Sequence, residues 1–135
     1  MAQIVKLHQY NTICAPIMSQ YAAIEGLKNG WSEVEKMRVS YQQRRNLMYK
    51  SFTDMGLPVP EPAGAFYMFP DITSTGMTSE EFATELIQKY AVAVVPGNVF
   101  GAGGEGHVRC CYATSIDKIK IALDRIAELV KEHRK

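Results

Sequence analysis

Two short apolar runs separated by a glycine-rich loop, within Val94 to Ser115, limit what this chain can fold into more than any other stretch. The run Val94-Val95-Pro96 reads as a strand that stops at Pro96, because proline has no amide hydrogen to give to a ladder. Gly101, Gly103, Gly104 and Gly106 then make a loop that the missing side chains leave mobile. A second short strand follows, from His107 to Tyr112. Since strand side chains alternate, Val108, Cys110 and Tyr112 point one way, and His107, Arg109 and Cys111 the other. Arg109 is the residue that needs explaining. A guanidinium does not give up its charge, and on a half-buried strand it calls for an anion, a carboxylate matching its forked donors best. An arginine on a solvated sheet face is the other reading of the same pattern.

The remaining elements follow from periodicity and punctuation. Ala2 to Thr12 reads as a helix ending near Asn11, and Pro16 suits the first turn of a second helix that Asn29-Gly30 ends. Ser32 with Glu35 forms a capping-box pattern for a long helix in which Val34, Met37, Tyr41, Arg44, Met48, Phe52 and Met55 recur every three or four residues. Gly56 and Pro58 stop it. At roughly 23 residues it would measure about 35 Å, long enough to connect two bodies.

Pro58, Pro60 and Pro62 lead into an aromatic strand, Gly64 to Pro70, with Gly64 marking a bulge or a close backbone approach. Thr78 and Glu81 make a further capping box, opening a helix to Tyr90 with the stripe Phe82, Leu86, Ile87 and Tyr90. Ala91 to Val95 is strand again. Thr114 with Asp117 opens the last helix, along which Ile116, Ile119, Leu123, Ile126 and Val130 recur, and Glu132 to Lys135 is expected to fray. The order predicts an α+β fold: a small sheet of about three short strands, covered on one side by helices that include one long connecting helix.

Composition excludes several classes. At 135 residues the chain can bury one ordinary core. A net charge of +1 and mixed charges give no electrostatic case for nucleic acid or an anionic membrane; Arg38, Arg44, Arg45 and Lys50 on the long helix are diluted by Glu33, Glu35 and Asp54. No apolar run approaches the roughly 18 to 20 residues of a membrane span. No charged-then-apolar leader with a cleavage site follows Met1. Cys14, Cys110 and Cys111 are odd in number and two are adjacent, which argues for free thiols and a cytoplasmic location.

Several chemistries fail on placement. The glycine loop opens a strand, whereas a phosphate cradle must open a helix, and the Walker lysine and hydroxyl are missing. His107 and Cys111 stand about 13 Å apart along their strand, too far to share one metal ion, and no metal site is expected. Cys110 and Cys111 lack a histidine and acid arrangement, so buried structural thiols are expected.

Four segments, in this order, resemble the C-terminal part of class I and II pyridoxal-phosphate aminotransferases of fold type I, especially the aspartate and aromatic branch. They are Ala15 to Leu27 (APIMSQYAAIEGL), Pro62 to Pro70 (PAGAFYMFP), Val95 to Gly101 (VPGNVFG) and His107 to Ala113 (HVRCCYA). The resemblance implies that residues 1–31 are a remnant of the large domain, and that residues 32–135 are the small domain, beginning with the connecting helix. It matches Arg109 to the arginine that clamps the substrate's α-carboxylate, fixing the amino acid with its α-amino group toward the cofactor. Phe66 matches a position that lines the substrate pocket in relatives, with core packing as its other reading. Gln9 to Ala15 resembles a segment that approaches the neighbouring subunit's active site in family homodimers.

The family's Schiff-base lysine, its aspartate for the pyridinium nitrogen and its phosphate-binding residues have no counterpart here. Nine lysines are present, none of them within the four matching segments. The implied full-length enzyme uses pyridoxal phosphate to move an amino group from an amino acid to a 2-oxo acid, while this fragment is expected to bind no cofactor specifically and to be inactive alone. The alternative from another class is a stand-alone amino-acid-binding regulatory or oligomerisation module without catalysis.

Overall fold

The computed structural model describes residues 1–134. Its elements are α1 (Ala2–Asn11), α2 (Ile17–Asn29), α3 (Trp31–Asp54), β1 (Tyr67–Met68), α4 (Ser79–Tyr90), β2 (Val95–Pro96), β3 (Val108–Cys111) and α5 (Ile116–His133). The chain divides into two compact units, Met1–Arg38 and a second that begins at Val39, so the division falls inside α3.

The first unit holds α1, α2 and the start of α3, and neither α1 nor α2 buries a residue. Pro16 is the N-cap of α2 rather than its first-turn residue. The capping box expected at Ser32 and Glu35 does not form. The Gly30 carbonyl accepts from the amides of Glu33 and Val34, both at 3.1 Å, so Ser32 already lies inside the helix. Glu35 instead takes two hydrogen bonds from Arg38, at 2.8 and 2.7 Å, one turn along the same helix.

The second unit has the core. Its sheet runs in the order β1-β3-β2, antiparallel throughout, with Tyr67 opposite Cys111 and Met68 opposite Cys110 on one side of β3, and Val95 opposite Arg109 on the other. Alternation along β3 is as expected: Val108, Cys110 and Tyr112 are buried while Arg109 is half-buried and Cys111 exposed. Met48 and Phe52 of α3, Phe82 and Leu86 of α4, and Ile119, Leu123, Ile126, Leu129 and Val130 of α5 form the rest of the core with Met68 and Ile72. Helices cover one face of a small sheet and leave the Arg109 face bare. Val34 and Met37 lie on the apolar stripe predicted for α3, yet both are exposed, at 46% and 54%.

α3 ends in a full Schellman turn. Gly56 adopts φ 68°, its amide donates to the Thr53 carbonyl, the Leu57 amide reaches back to Phe52, and Leu57 and Phe52 are both buried. The guanidinium of Arg134 donates to the carbonyls of Met55 and Gly56, bringing positive charge to the same helix end. Fraying from Glu132 onward is therefore overturned as far as Arg134: α5 continues to His133, whose Nε2 lies 3.0 Å from Glu85 Oε1. Lys135 lies outside the described residues.

Other local expectations shift by tertiary detail. The aromatic strand Gly64 to Pro70 shrinks to Tyr67–Met68, because Ala65 takes φ 62°, a left-handed conformation that no strand accommodates. Gly64 itself meets no close neighbour, so the tight spot falls one residue later. Ala91 to Val94 are not in the ladder; Ala91 is the left-handed cap of α4. The capping box of Thr78 and Glu81 forms as predicted, but Ile87 is 52% exposed and Ser115, not Thr114, caps α5. No helix among the described residues is long and apolar enough to cross a membrane.

Candidate functional site

The bare face of the sheet carries Arg109 at its centre, because β3 is the middle strand and both neighbours hold it in register. The loop before β3 is pinned from below. Ser79 Oγ, fully buried at the start of α4, accepts from the amides of Gly106 at 2.9 Å and His107 at 3.2 Å. In return the Glu105 carboxylate accepts from the Ser79 amide at 2.8 Å, and this amide bond is the main reason its pKa falls below the usual carboxylate value. Gly97 and Gly104 touch backbone to backbone: a Cβ on either would sit 2.0 Å from the other's carbonyl oxygen. The loop predicted to be mobile is thus folded into two short 3-10 turns, Gly97–Phe100 and Ala102–Gly104, which present Phe100 beside β3.

Around Arg109 lies an open hollow of about 250 Å³ lined by Tyr67, Phe69, Phe100 and Arg109. The guanidinium carbon stands 5.6 Å from the Tyr67 ring centroid and 5.0 Å from that of Phe100. Phe69 meets Phe100 edge-on at 6.1 Å and stacks nearly parallel on His107 at 5.0 Å. Among the described residues no carboxylate lies within 4.0 Å of the Arg109 guanidinium, and none of its N–H groups makes a hydrogen bond. A charged donor fork, half out of water and without an anion, is chemically ready to take a carboxylate.

Phe66 does not line this hollow. It is 50% exposed and stands edge-on to Tyr67 at 5.7 Å, and it is not part of the core. Sequence reasoning weighed Phe66 and Tyr67 as pocket-lining aromatics but carried only Phe66 forward, and it passed over Phe69 and Phe100. Tyr67 could have been found from pairing, since it shares a face with its partner Cys111 and hence with Arg109; Phe100 reaches the site through loop packing that no periodicity records.

Elsewhere the thiols split. Cys110 is buried, and desolvation pushes its pKa up to about 12, so it is inert at neutral pH. Cys111 is exposed, which corrects the expectation of a buried thiol, and its Sγ accepts from the Ala113 amide at 3.4 Å. α4 and α5 also bring together Glu85, Glu132 and His133, a set the sequence did not suggest as metal ligands. Lys89 Nζ already lies 2.5 Å from Glu85 and 4.0 Å from Glu132, so an ammonium is already paired with both carboxylates of this cluster. Its Glu132 carboxylate also holds the Tyr90 hydroxyl, raising that pKa to about 12.

The fit of this face to pyridoxal phosphate can be judged from its donors. Every described lysine is exposed and none lines the Arg109 hollow, so these residues do not form a Schiff-base pocket.

Known proteins share this sequence and fold. The pattern of the family described as aminotransferase class I and II matches residues 2–126. The chain is 56% identical over 123 residues to the putative aminotransferase YugH of Bacillus subtilis, covering 91% of this chain and 32% of that protein. It is 44% identical to aromatic-amino-acid aminotransferase 2 of Thermococcus litoralis, covering 98% of this chain and 34% of the relative. The crystal structure of an aromatic aminotransferase from Pyrococcus horikoshii superposes with a TM-score of 0.89 at 44% identity, over 97% of this chain and 36% of that one. The chain spans about a third of the length of the relatives it matches. With sequence and fold agreeing from one end of the chain to the other, this protein belongs to the class I and II aminotransferase family.

Proposed function

We propose that this chain supplies the substrate-carboxylate subsite and small domain of a pyridoxal-phosphate-dependent aminotransferase, which moves an amino group between an amino acid and a 2-oxo acid. Residues 1–31 belong in this reading to the large domain, and residues 32–135 to the small domain that α3 joins to it. The cofactor is held by residues outside this chain, and the complete enzyme works as a homodimer. The observation that carries the reading is the Arg109 guanidinium, half-buried on the bare sheet face with its donors unpaired among the described residues. It grips the α-carboxylate with two parallel N–H···O bonds, fixing the amino acid at two points so that its amino end is directed away from the sheet. Phe66 stands edge-on to Tyr67 but outside the hollow, and this reading gives it no contact with the carboxylate.

The chain by itself does not turn over, because no lysine stands where the clamp could present an amino acid to it. Mixing the purified chain with pyridoxal phosphate, L-aspartate or L-phenylalanine, and 2-oxoglutarate tests this directly. Turnover, or a stoichiometric lysine adduct trapped by borohydride, overturns it. In the complete protein Arg109→Ala lowers kcat/KM for the amino donor by about 2 to 5 kcal/mol of transition-state binding. An unchanged kcat/KM takes the arginine out of the mechanism. Tight saturable binding of either amino acid by the chain without cofactor favours a regulatory module instead.

A further inference from the structure

An arginine that binds a carboxylate substrate has a problem of its own: something must hold it still without occupying its donors. Proteins usually steady a buried arginine with an aspartate or glutamate, but an acid beside Arg109 would consume the N–H groups the substrate needs and repel its negative charge. No carboxylate among the described residues lies within 4.0 Å of this guanidinium. Two ring faces stand there, Tyr67 at 5.6 Å and Phe100 at 5.0 Å, both within cation–π range.

Resting on the carboxylate-clamp reading above, we infer that Tyr67 and Phe100 are positioning residues, which hold the Arg109 guanidinium by their ring faces in place of an acid and leave its donor fork free. The negative quadrupole of a ring face attracts the cation without accepting its in-plane N–H groups, so restraint and availability no longer compete. The two rings come from different elements. Tyr67 sits on β1, in register with Cys111, and Phe100 ends the turn Gly97–Phe100. Phe100 is braced in turn by Phe69, edge-on at 6.1 Å, which lies flat on His107 at 5.0 Å. Both positioning rings remain partly open, Tyr67 at 43% and Phe100 at 53%, so the space above the guanidinium is free for a ligand.

The test replaces Phe100 in the complete, cofactor-loaded protein by phenylalanine analogues with one, two and three ring fluorines, which drain the ring face of negative charge while keeping the shape. With whichever of L-aspartate and L-phenylalanine the unmodified protein uses faster, KM rises stepwise with fluorine number to about tenfold, while kcat stays within about twofold. Phe100→Leu matches the trifluoro analogue, and Phe100→Trp restores or improves the KM of the unmodified protein. A flat fluorine series, or a Phe100→Trp variant as weak as Phe100→Leu, overturns the inference. Arg109→Ala measured alongside separates the two readings: a large loss there with a flat fluorine series rejects the positioning role alone, and no loss there rejects the clamp itself.

Discussion

α1 and α5 are both helices with apolar residues at helical spacing, yet they meet opposite fates. Along α5, Ile119, Leu123, Ile126, Leu129 and Val130 are all buried against the sheet and its neighbouring helices, whereas Ile4, Leu7 and Tyr10 of α1 are all exposed. The contrast extends to the two units: Trp31 in the first is 67% exposed and Phe52 in the second 1%. Apolar periodicity makes a helix amphipathic, but partners elsewhere in the chain decide whether its stripe is buried. In the second unit a sheet and three helix faces supply those partners. In the first unit the apolar side chains of α1 and α2 are exposed, and neither helix buries a residue.

The comparison can be broken most directly by truncation. Phe52→Ala is expected to cost about 3 to 5 kcal/mol in urea unfolding, since a fully buried ring leaves a cavity behind. Trp31→Ala should stay within about 0.5 kcal/mol. Equal costs would mean that the first unit has a core of its own. Smaller effects sharpen the same contrast at helix ends. Arg134→Ala removes two hydrogen bonds to the carbonyls of Met55 and Gly56, in the turn that ends α3, and should cost about 1 to 2 kcal/mol, read from the same unfolding curves. Thr78→Ala opens the capping box of α4 and should cost about 1 kcal/mol. Ser32→Ala, which looks like the same change in sequence, should cost almost nothing because Ser32 caps no helix.

The smallest effect is on acid stability. Asp71 accepts from the Thr73 hydroxyl at 2.6 Å and from the Thr73 amide at 2.8 Å, and the hydroxyl bond is the main reason its pKa lies below the ordinary 3.8. Because the folded value is the lower one, the stabilisation is present above pH 3.8 and is lost as pH falls through the folded pKa. An Asp71→Asn variant should therefore be less stable than the unmodified chain at neutral pH, show a flatter dependence below about pH 4, and converge with the unmodified chain in acid. An unchanged acid limb removes Asp71 from the account.

Much of the architecture was legible because it is written locally. The capping box of Thr78 and Glu81, the glycine stop at Gly56 and the alternation of Val108 to Tyr112 each involve residues within a turn or a strand of one another, so their physics is contained in a short window. Where expectations slipped, the cause was backbone geometry that the pattern of residue types does not record, or a contact from far along the chain. Hydrogen bonds to the Gly30 carbonyl carried α3 past its apparent cap at Ser32, the left-handed Ala65 cut the aromatic strand short, and the hold of Arg134 on α3 kept the C-terminus from fraying.

The Arg109 face divides along the same line. That this arginine faces away from the core follows from a period of two and needs no coordinates. That its neighbours are Tyr67 and Phe100, with Phe66 outside the hollow, depends on how β1 pairs with β3 and how a glycine loop folds back across many residues of chain. Sequence determined which groups stand ready to act, because side-chain identity and alternation are local properties. Tertiary structure alone decided what surrounds the guanidinium, because a site is assembled from segments whose proximity exists only after the chain has closed its loops.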